Sequence, residues 1–179
     1  MDYQILKPTI AEHIEVAVAE PKDADEIMDL LIEIAEWFRS RGSKQWAALL
    51  EGRDDHKTAE VIHSRRVFIF KDGEEIAGMV ILLDRPSPWD IRLWGEDRAY
   101  EGDGTIYVHR LAVKRKYAGR GLGRNILNWC SSGIRFPGKH CLRLDCVGYN
   151  ETLKSFYMQN GFTYLGDEHG YSLFTKELE

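Results

Sequence analysis

Apolar positions along this chain follow two periods, and the switches between them mark its elements. Residues 14–19 (IEVAVA) read as a short strand. Between 21 and 42 the period changes: Ile27, Leu30, Leu31, Ile34 and Phe38 recur at helical spacing and Gly42 is a stop signal. Asp23 or Asp25 stands where this helix needs a cap. Residues 54–65 (DDHKTAEVIHSR) predict a second, weaker helix. RVFIFKDGEEIAGMVILL (66–83) is two apolar runs around Asp72-Gly73, a hairpin signal. Residues 84–104 lack clear periodicity and carry two prolines and two tryptophans, which predicts a long irregular arm. TIYVHRLAV (105–113) is a strand, GRNILNWCSSGI (123–134) a helix burying Ile126, Leu127 and Cys130, and HCLRLDCV (140–147) the next strand. NETLKSFYMQNGF (150–162) makes a short helix ending at Asn160-Gly161, and YSLFTKEL (171–178) closes as a strand. The order β-α-α-β-β-β-α-β-α-β predicts an α/β fold with a mixed single sheet.

Composition narrows the class. With 179 residues, no repeats and no low-complexity linker, one domain over 1–179 is expected. A hydrophobic content of 44% with 30% charged residues describes a globular chain. A net charge of −5 argues against a general nucleic-acid binder, whose affinity comes from phosphate neutralisation. Three cysteines, Cys130, Cys141 and Cys146, lack metal-site spacing, and no metal is expected. No basic-then-apolar leader opens the sequence and no apolar run nears the roughly 18 residues of a membrane span. A reduced cytoplasmic setting without a membrane partner is the expectation.

Against this acidic background, KRKYAGRGLGR (114–124) packs three glycines and five basic side chains into eleven residues. Cations around exposed backbone, between a strand and a helix, suggest an anion cradle. The phosphate loop of nucleotide hydrolases needs a Lys-Ser/Thr pair after its last glycine, and Arg124-Asn125 stand there instead. The dinucleotide fingerprint lacks its third glycine: from Gly119 that position is Arg124, and from Gly121 it is Ile126. Asp145, about twenty residues on, keeps a nicotinamide oxidoreductase as a rival only weakly.

LAVKRKYAGRGLGRNIL (111–127) resembles the phosphate loop of the GNAT superfamily of N-acetyltransferases, Arg/Gln-x-x-Gly-x-Gly/Ala after a strand ending in an apolar triplet. Gly121 and Gly123 take the glycine positions, and Ala118 departs from the Arg/Gln position. NETLKSFYMQNGF resembles the later helix of the same family, so the close likeness spans 105–162. The resemblance implies a single-domain, mostly antiparallel central sheet flanked by helices. It also implies acetyl-coenzyme A as co-substrate, its pyrophosphate held by Ala118, Gly119, Arg120, Gly121, Leu122, Gly123 and Arg124. Lys116 or Arg120 would then supply the charge that Ala118 does not. By the same likeness the backbone amides of Leu111, Ala112 and Val113 hold the cofactor arm and thioester carbonyl, and Asn150 the pantetheine arm, with a helix cap as its other reading.

Acetyl transfer to an amine requires a polarised carbonyl, an amine that loses a proton and a thiolate that gains one. Tyr157 matches the family's general acid; its other reading is a half-buried packing tyrosine. His109 stands where some members carry a proton relay, although a lone strand histidine is more often structural. Many members use water and a distant carboxylate, and Asp145 is either that group or a partner of Arg143 or Arg110. Strand alternation sets Tyr107, His109 and Leu111 on one face, with Val108, Arg110 and Ala112 on the other. The acceptor pocket is expected from the first helices and the 84–104 arm. Gln45 and Trp46 are its candidate residues, Trp37 reads as packing, Trp89 and Trp94 as a cover, and Glu96 and Asp97 as acids that would attract an amine. Cys146 lies near the expected cleft without a histidine partner in sequence. The expected partner is a small-molecule or peptide amine, a homodimer is compatible with the sequence, and a catalytically silent coenzyme A sensor is the alternative.

Overall fold

Both faces of the central strands are apolar, so the sheet they form has to be covered on both sides. The computed structural model describes residues 2–179. In chain order the elements are β1 (Gln4–Ile5), β2 (Thr9–Ala11), β3 (Ile14–Val18), α1 (Ala24–Ser40), α2 (Ala47–Leu50), α3 (Thr58–His63), β4 (Val67–Asp72) and β5 (Glu75–Leu83). Then follow α4 (Pro88–Trp94), β6 (Thr105–Val113), α5 (Leu122–Ser132), β7 (Ile134–Arg135), β8 (Cys141–Val147), α6 (Glu151–Gln159), β9 (Thr163–Glu168) and β10 (Tyr171–Glu177). Eight strands form one sheet in the order β2-β3-β4-β5-β6-β8-β10-β9, and β1 pairs with β7 apart from it. All pairings in the large sheet are antiparallel except β6 with β8.

One face of the sheet presents Phe68, Phe70, Val80 and Leu82 to Ile126, Leu127 and Trp129 of α5. The other presents Val67, Ile69, Met79 and Ile81 to the predicted stripe of α1, Ile27, Leu30, Leu31, Ile34 and Phe38. Each such side chain contributes roughly 1.5–3 kcal/mol on burial, which is why these long periodic segments fold as read. A smaller cluster sets Leu93 and Trp94 of α4 on Tyr107 and Leu173.

Three local readings are corrected. Asp23 sits at the N-cap of α1 without a side-chain capping bond; its carboxylate instead accepts the Glu20 N–H at 2.8 Å. The 84–104 arm contains a helix, because Ser87-Pro88-Trp89-Asp90 is a capping box with proline in its first turn. There the Asp90 carboxylate accepts the Ser87 N–H at 2.8 Å and Ser87 Oγ accepts the Asp90 N–H at 3.2 Å. The third correction concerns β6. Ile81 faces His109 while Met79 faces Ala112, so Arg110 and Leu111 together oppose Val80. This bulge puts Arg110 in the left-handed region, at φ 54°. It also moves Leu111 and Val113 to the α5 face with Ile106 and Val108, and Ala112 to the α1 side, reversing the strict alternation after His109.

Candidate active site

The parallel pair β6 and β8 stays together for only three residues, Thr105↔Cys141, Ile106↔Leu142 and Tyr107↔Arg143, and then diverges. β8 follows β10 through seven pairs, whereas β6 follows β5 through its bulge. The gap between them is a cavity of about 190 Å³ that reaches from Leu111 on β6 to Asp145 on β8. Strand alternation limits which β6 amides can face it. The Lys114 N–H donates to Ala77 O on β5 at 2.8 Å, so Val113 presents its amide to the open edge and Ala112 turns toward β5.

His109 and Asp145 line the cavity and meet Asp90, which does not line it: one side-chain atom of each of the three lies within 4.8 Å of the other two. His109 Nε2 is 3.0 and 3.1 Å from the two Asp90 oxygens, and Asp90 is itself fixed by capping α4. Burial disfavours the imidazolium, but the Asp90 and Asp145 carboxylates outweigh it and hold the His109 pKa above its ordinary value. His56 stacks on His109 with ring centroids 4.4 Å apart, and burial, with the charges of His109 and Arg110, pulls its pKa far down and keeps it neutral. Asp145 accepts from Trp89 Nε1 at 3.2 Å, and burial pushes its pKa up to about 6 despite the attraction of His109. It does not pair with Arg143, which donates to the Arg98 carbonyl and the Tyr107 hydroxyl.

A carboxylate whose folded pKa is raised weakens the fold wherever it is ionised; its favourable contribution is present in acid and is lost as pH rises through about 6. Asp145→Asn should therefore raise the thermal midpoint at pH 8 by about 2–8 °C. The gain should fade toward pH 4 in melts recorded across that range.

Tyr157 projects from α6 into the same cavity, 7% exposed, among Phe156, Phe162 and Phe174. Burial raises its pKa, so the phenol keeps its proton at neutral pH. Cys146 lines the cavity as well, and burial pushes its thiol up to about 12, which leaves it un-ionised. Gln45 and Trp46 form the opposite wall. Gln45 Oε1 accepts the Val147 N–H at 3.2 Å, and Trp46 stands edge-on to Phe38.

A second, more open cleft adjoins the first. Its floor is the glycine loop, with Val113, Gly119, Gly121, Gly123 and Arg124 among the lining residues. Gly121 lies at φ 74° directly before α5, a conformation that favours glycine. Among the described residues no backbone carbonyl accepts from the amides of residues 119–124. Six unengaged amides at the positive end of an eleven-residue helix give the loop a charge and geometry that favour an anion. Arg115 and Arg124 supply the nearby charge. Lys116 instead binds Glu75 at 2.9 Å, and Arg120 lies over the Tyr117 ring, so neither expected substitute for the missing Arg/Gln side chain lines the cleft. Phe156 lines this cleft and its neighbour Tyr157 the cavity, so the two spaces share a border on α6.

Residues 28–162 match the model of the acetyltransferase (GNAT) family. The chain belongs to that family. It is 46% identical over 177 residues to the uncharacterized N-acetyltransferase YesJ of Bacillus subtilis (strain 168), covering 98% of this chain and 97% of that one. A GNAT-family acetyltransferase structure from Listeria monocytogenes shares 33% identity at a TM-score of 0.74, covering 92% of this chain and 95% of that one. The PaiA N-acetyltransferase of Thermoplasma acidophilum, solved in complex with coenzyme A, shares the fold at 16% identity and a TM-score of 0.71, with 92% and 98% covered.

Within this GNAT chain the residues singled out from sequence separate into two groups. His109, Leu111, Asp145, Cys146, Tyr157, Gln45, Trp46 and Trp89 converge on the cavity. Ala118, Gly119, Gly121, Leu122, Gly123 and Arg124 line the loop cleft. Asn150 caps α6, its Oδ1 accepting the Leu153 N–H at 3.0 Å. Trp94, the last residue of α4, is buried with Tyr107 and Leu173, and Glu96 and Asp97 are exposed and do not line the cavity; the acids that line it are Asp55 and Asp145. Asp90, His56 and Arg115 were not picked out from sequence. The Ser-x-x-Asp pattern at 87–90 was the signal for Asp90, whereas His56 falls in the helix predicted over 54–65, which the structure shortens to Thr58–His63, leaving His56 in a loop. Among the described residues no helix is long and apolar enough to cross a membrane.

Proposed function

We propose that this chain moves the acetyl group of acetyl-coenzyme A to a primary amine of a small molecule or peptide by direct attack. We further propose that residues 1–179 act as one cytoplasmic domain. The observation that carries the reading is the run of six unengaged amides, 119–124, opening beside a cavity that holds a buried phenol and a carboxylate-held imidazole. The coenzyme A complex of the PaiA relative supports the same reading. The loop residues present fit a pyrophosphate, with Arg115 and Arg124 for its charge.

In this reading the amine nitrogen attacks the thioester carbonyl carbon and the C–S bond breaks. His109 takes the amine's proton at Nδ1, since Nε2 is held by Asp90, and Tyr157 gives its proton to the departing thiolate. The proton on His109 then restores the phenol through solvent, so one proton passes in net from amine to thiol. Val113, with its amide on the open edge of β6, is placed to hold the cofactor arm. Direct attack is favoured over an acyl-cysteine because Cys146 is an un-ionised thiol and His109 is engaged with Asp90.

The test is free-thiol release from acetyl-coenzyme A with a panel of polyamines, aminoglycosides, amino acids and short peptides. One class should turn over, and Tyr157→Phe should lower that turnover by about 10²–10³-fold while acetyl-coenzyme A binding stays unchanged. Tight cofactor binding with no amine releasing thiol would instead favour a coenzyme A sensor.

A further inference from the structure

Among the described residues, Arg110 is a buried cation without a hydrogen bond. Its side chain is 5% exposed, yet Nε and Nη1 are shielded and find no acceptor. Its nearest carboxylate, Asp54 Oδ1, is 3.9 Å from Nη2, beyond hydrogen-bond reach, and its guanidinium lies 5.1 Å over the Trp46 ring. Buried guanidinium groups ordinarily have their donors filled, because an unmet charged donor is costly. The position is costly in a second way, since a non-glycine residue is kept at φ 54°. That bulge turns the side chain out of the row of Ile106 and Val108 and toward Trp46, into the wall of the acceptor cavity.

We infer that Arg110 is the anchor for a carboxylate on the acceptor, so that the amine acetylated here belongs to a small zwitterionic molecule of amino-acid type. This inference rests on the transferase reading and names its substrate class. The planar guanidinium fork matches a carboxylate in two parallel bonds. The cavity wall carries charges for both ends of such a molecule: Arg110 and Lys44 for the carboxylate, and Asp55 and Asp145 for the ammonium. Its volume of about 190 Å³ suits a single small molecule. A purely cationic amine would bring its second charge against Arg110, while an amino acid would leave its amine for His109.

The experiment compares matched pairs of acceptors, free amino acids against their carboxamides, with protein saturated in coenzyme A for binding and in acetyl-coenzyme A for turnover. Wild type should favour the carboxylate member by about ten- to a hundredfold, in kcat/KM where turnover occurs and in thermal-shift affinity in every case. Arg110→Gln should bring that ratio close to one and leave the KM for acetyl-coenzyme A unchanged. Equal use of both members by wild type overturns the inference even if the variant fails to fold. So does an Arg110→Gln protein that keeps the preference, or the absence of any shift with the carboxylate members in the coenzyme A complex. Thiol release that persists with the carboxamides would leave the transferase reading standing while this inference falls; failure to bind coenzyme A would fell both.

Discussion

Gly121→Glu should weaken acetyl-coenzyme A binding by a hundredfold or more without unfolding the protein. Gly121 holds φ 74° at the entry to α5, so any side chain there carries left-handed strain of roughly 1–2 kcal/mol. A Cβ at this position would also stand 3.2 Å from Arg124 Nη2, a flexible group that can give way. The larger effect is electrostatic: the new carboxylate would occupy the cradle of free amides and claim Arg124, where the pyrophosphate's negative charge belongs. The fold should survive because the face that anchors α5, Ile126, Leu127 and Cys130, points the other way into the core. Titration calorimetry with acetyl-coenzyme A, beside circular dichroism of the variant, checks both halves. A folded variant with wild-type affinity would show that the cofactor phosphates lie elsewhere.

The second large effect is expected at His109. His109→Gln should lower kcat by about 10²–10³-fold with little change in cofactor affinity, the usual range for a lost general base. Asp90→Asn is the more diagnostic change, because Asp90 acts through His109. In the wild type, Asp90 and Asp145 raise the imidazole pKa against burial and against the charge of Arg110, while neutral His56 packs on its ring. The proton-accepting neutral form then grows only as pH rises through that raised value, so kcat/KM should climb with pH along this limb. Removing the Asp90 charge lowers the pKa, which moves the limb to lower pH even as the maximum falls through lost orientation. A variant that loses activity with its pH limb unmoved would assign Asp90 a structural role through the cap of α4 alone.

Much of this fold was legible because its core elements are long and periodic. The α1 stripe, the β4–β5 hairpin at Asp72-Gly73 and the glycine loop before α5 stand in the structure where their patterns put them. Elements without a buried periodic face were not legible: β9 is exposed or only partly buried along its whole length, and β1, β7 and α2 are two to four residues long. The α4 helix was hidden by its prolines, although Pro88 in its first turn is a helix-starting position and not a break. The site divides in the same way. Tyr157 and Gly121 carry motif signals, but the face that each β6 residue presents depends on one extra residue at Arg110. No glycine or other turn residue in TIYVHRLAV marks that bulge. The pairing of Asp90 with His109 depends in turn on bringing a cap in α4 against a strand fifteen or more residues away, which no local pattern encodes.

The most direct test follows the acetyl group itself. Acetyl-coenzyme A labelled with ¹³C at the carbonyl would be incubated with the protein, without and then with the amine panel, and followed by NMR alongside the intact protein mass. Direct transfer predicts that the thioester signal persists until an amine is added and is then replaced by an amide signal, one free thiol per amide, with the protein mass unchanged. A thioester that outlasts every amine while acetyl-coenzyme A is bound, or a label that accumulates on the protein, would contradict the account.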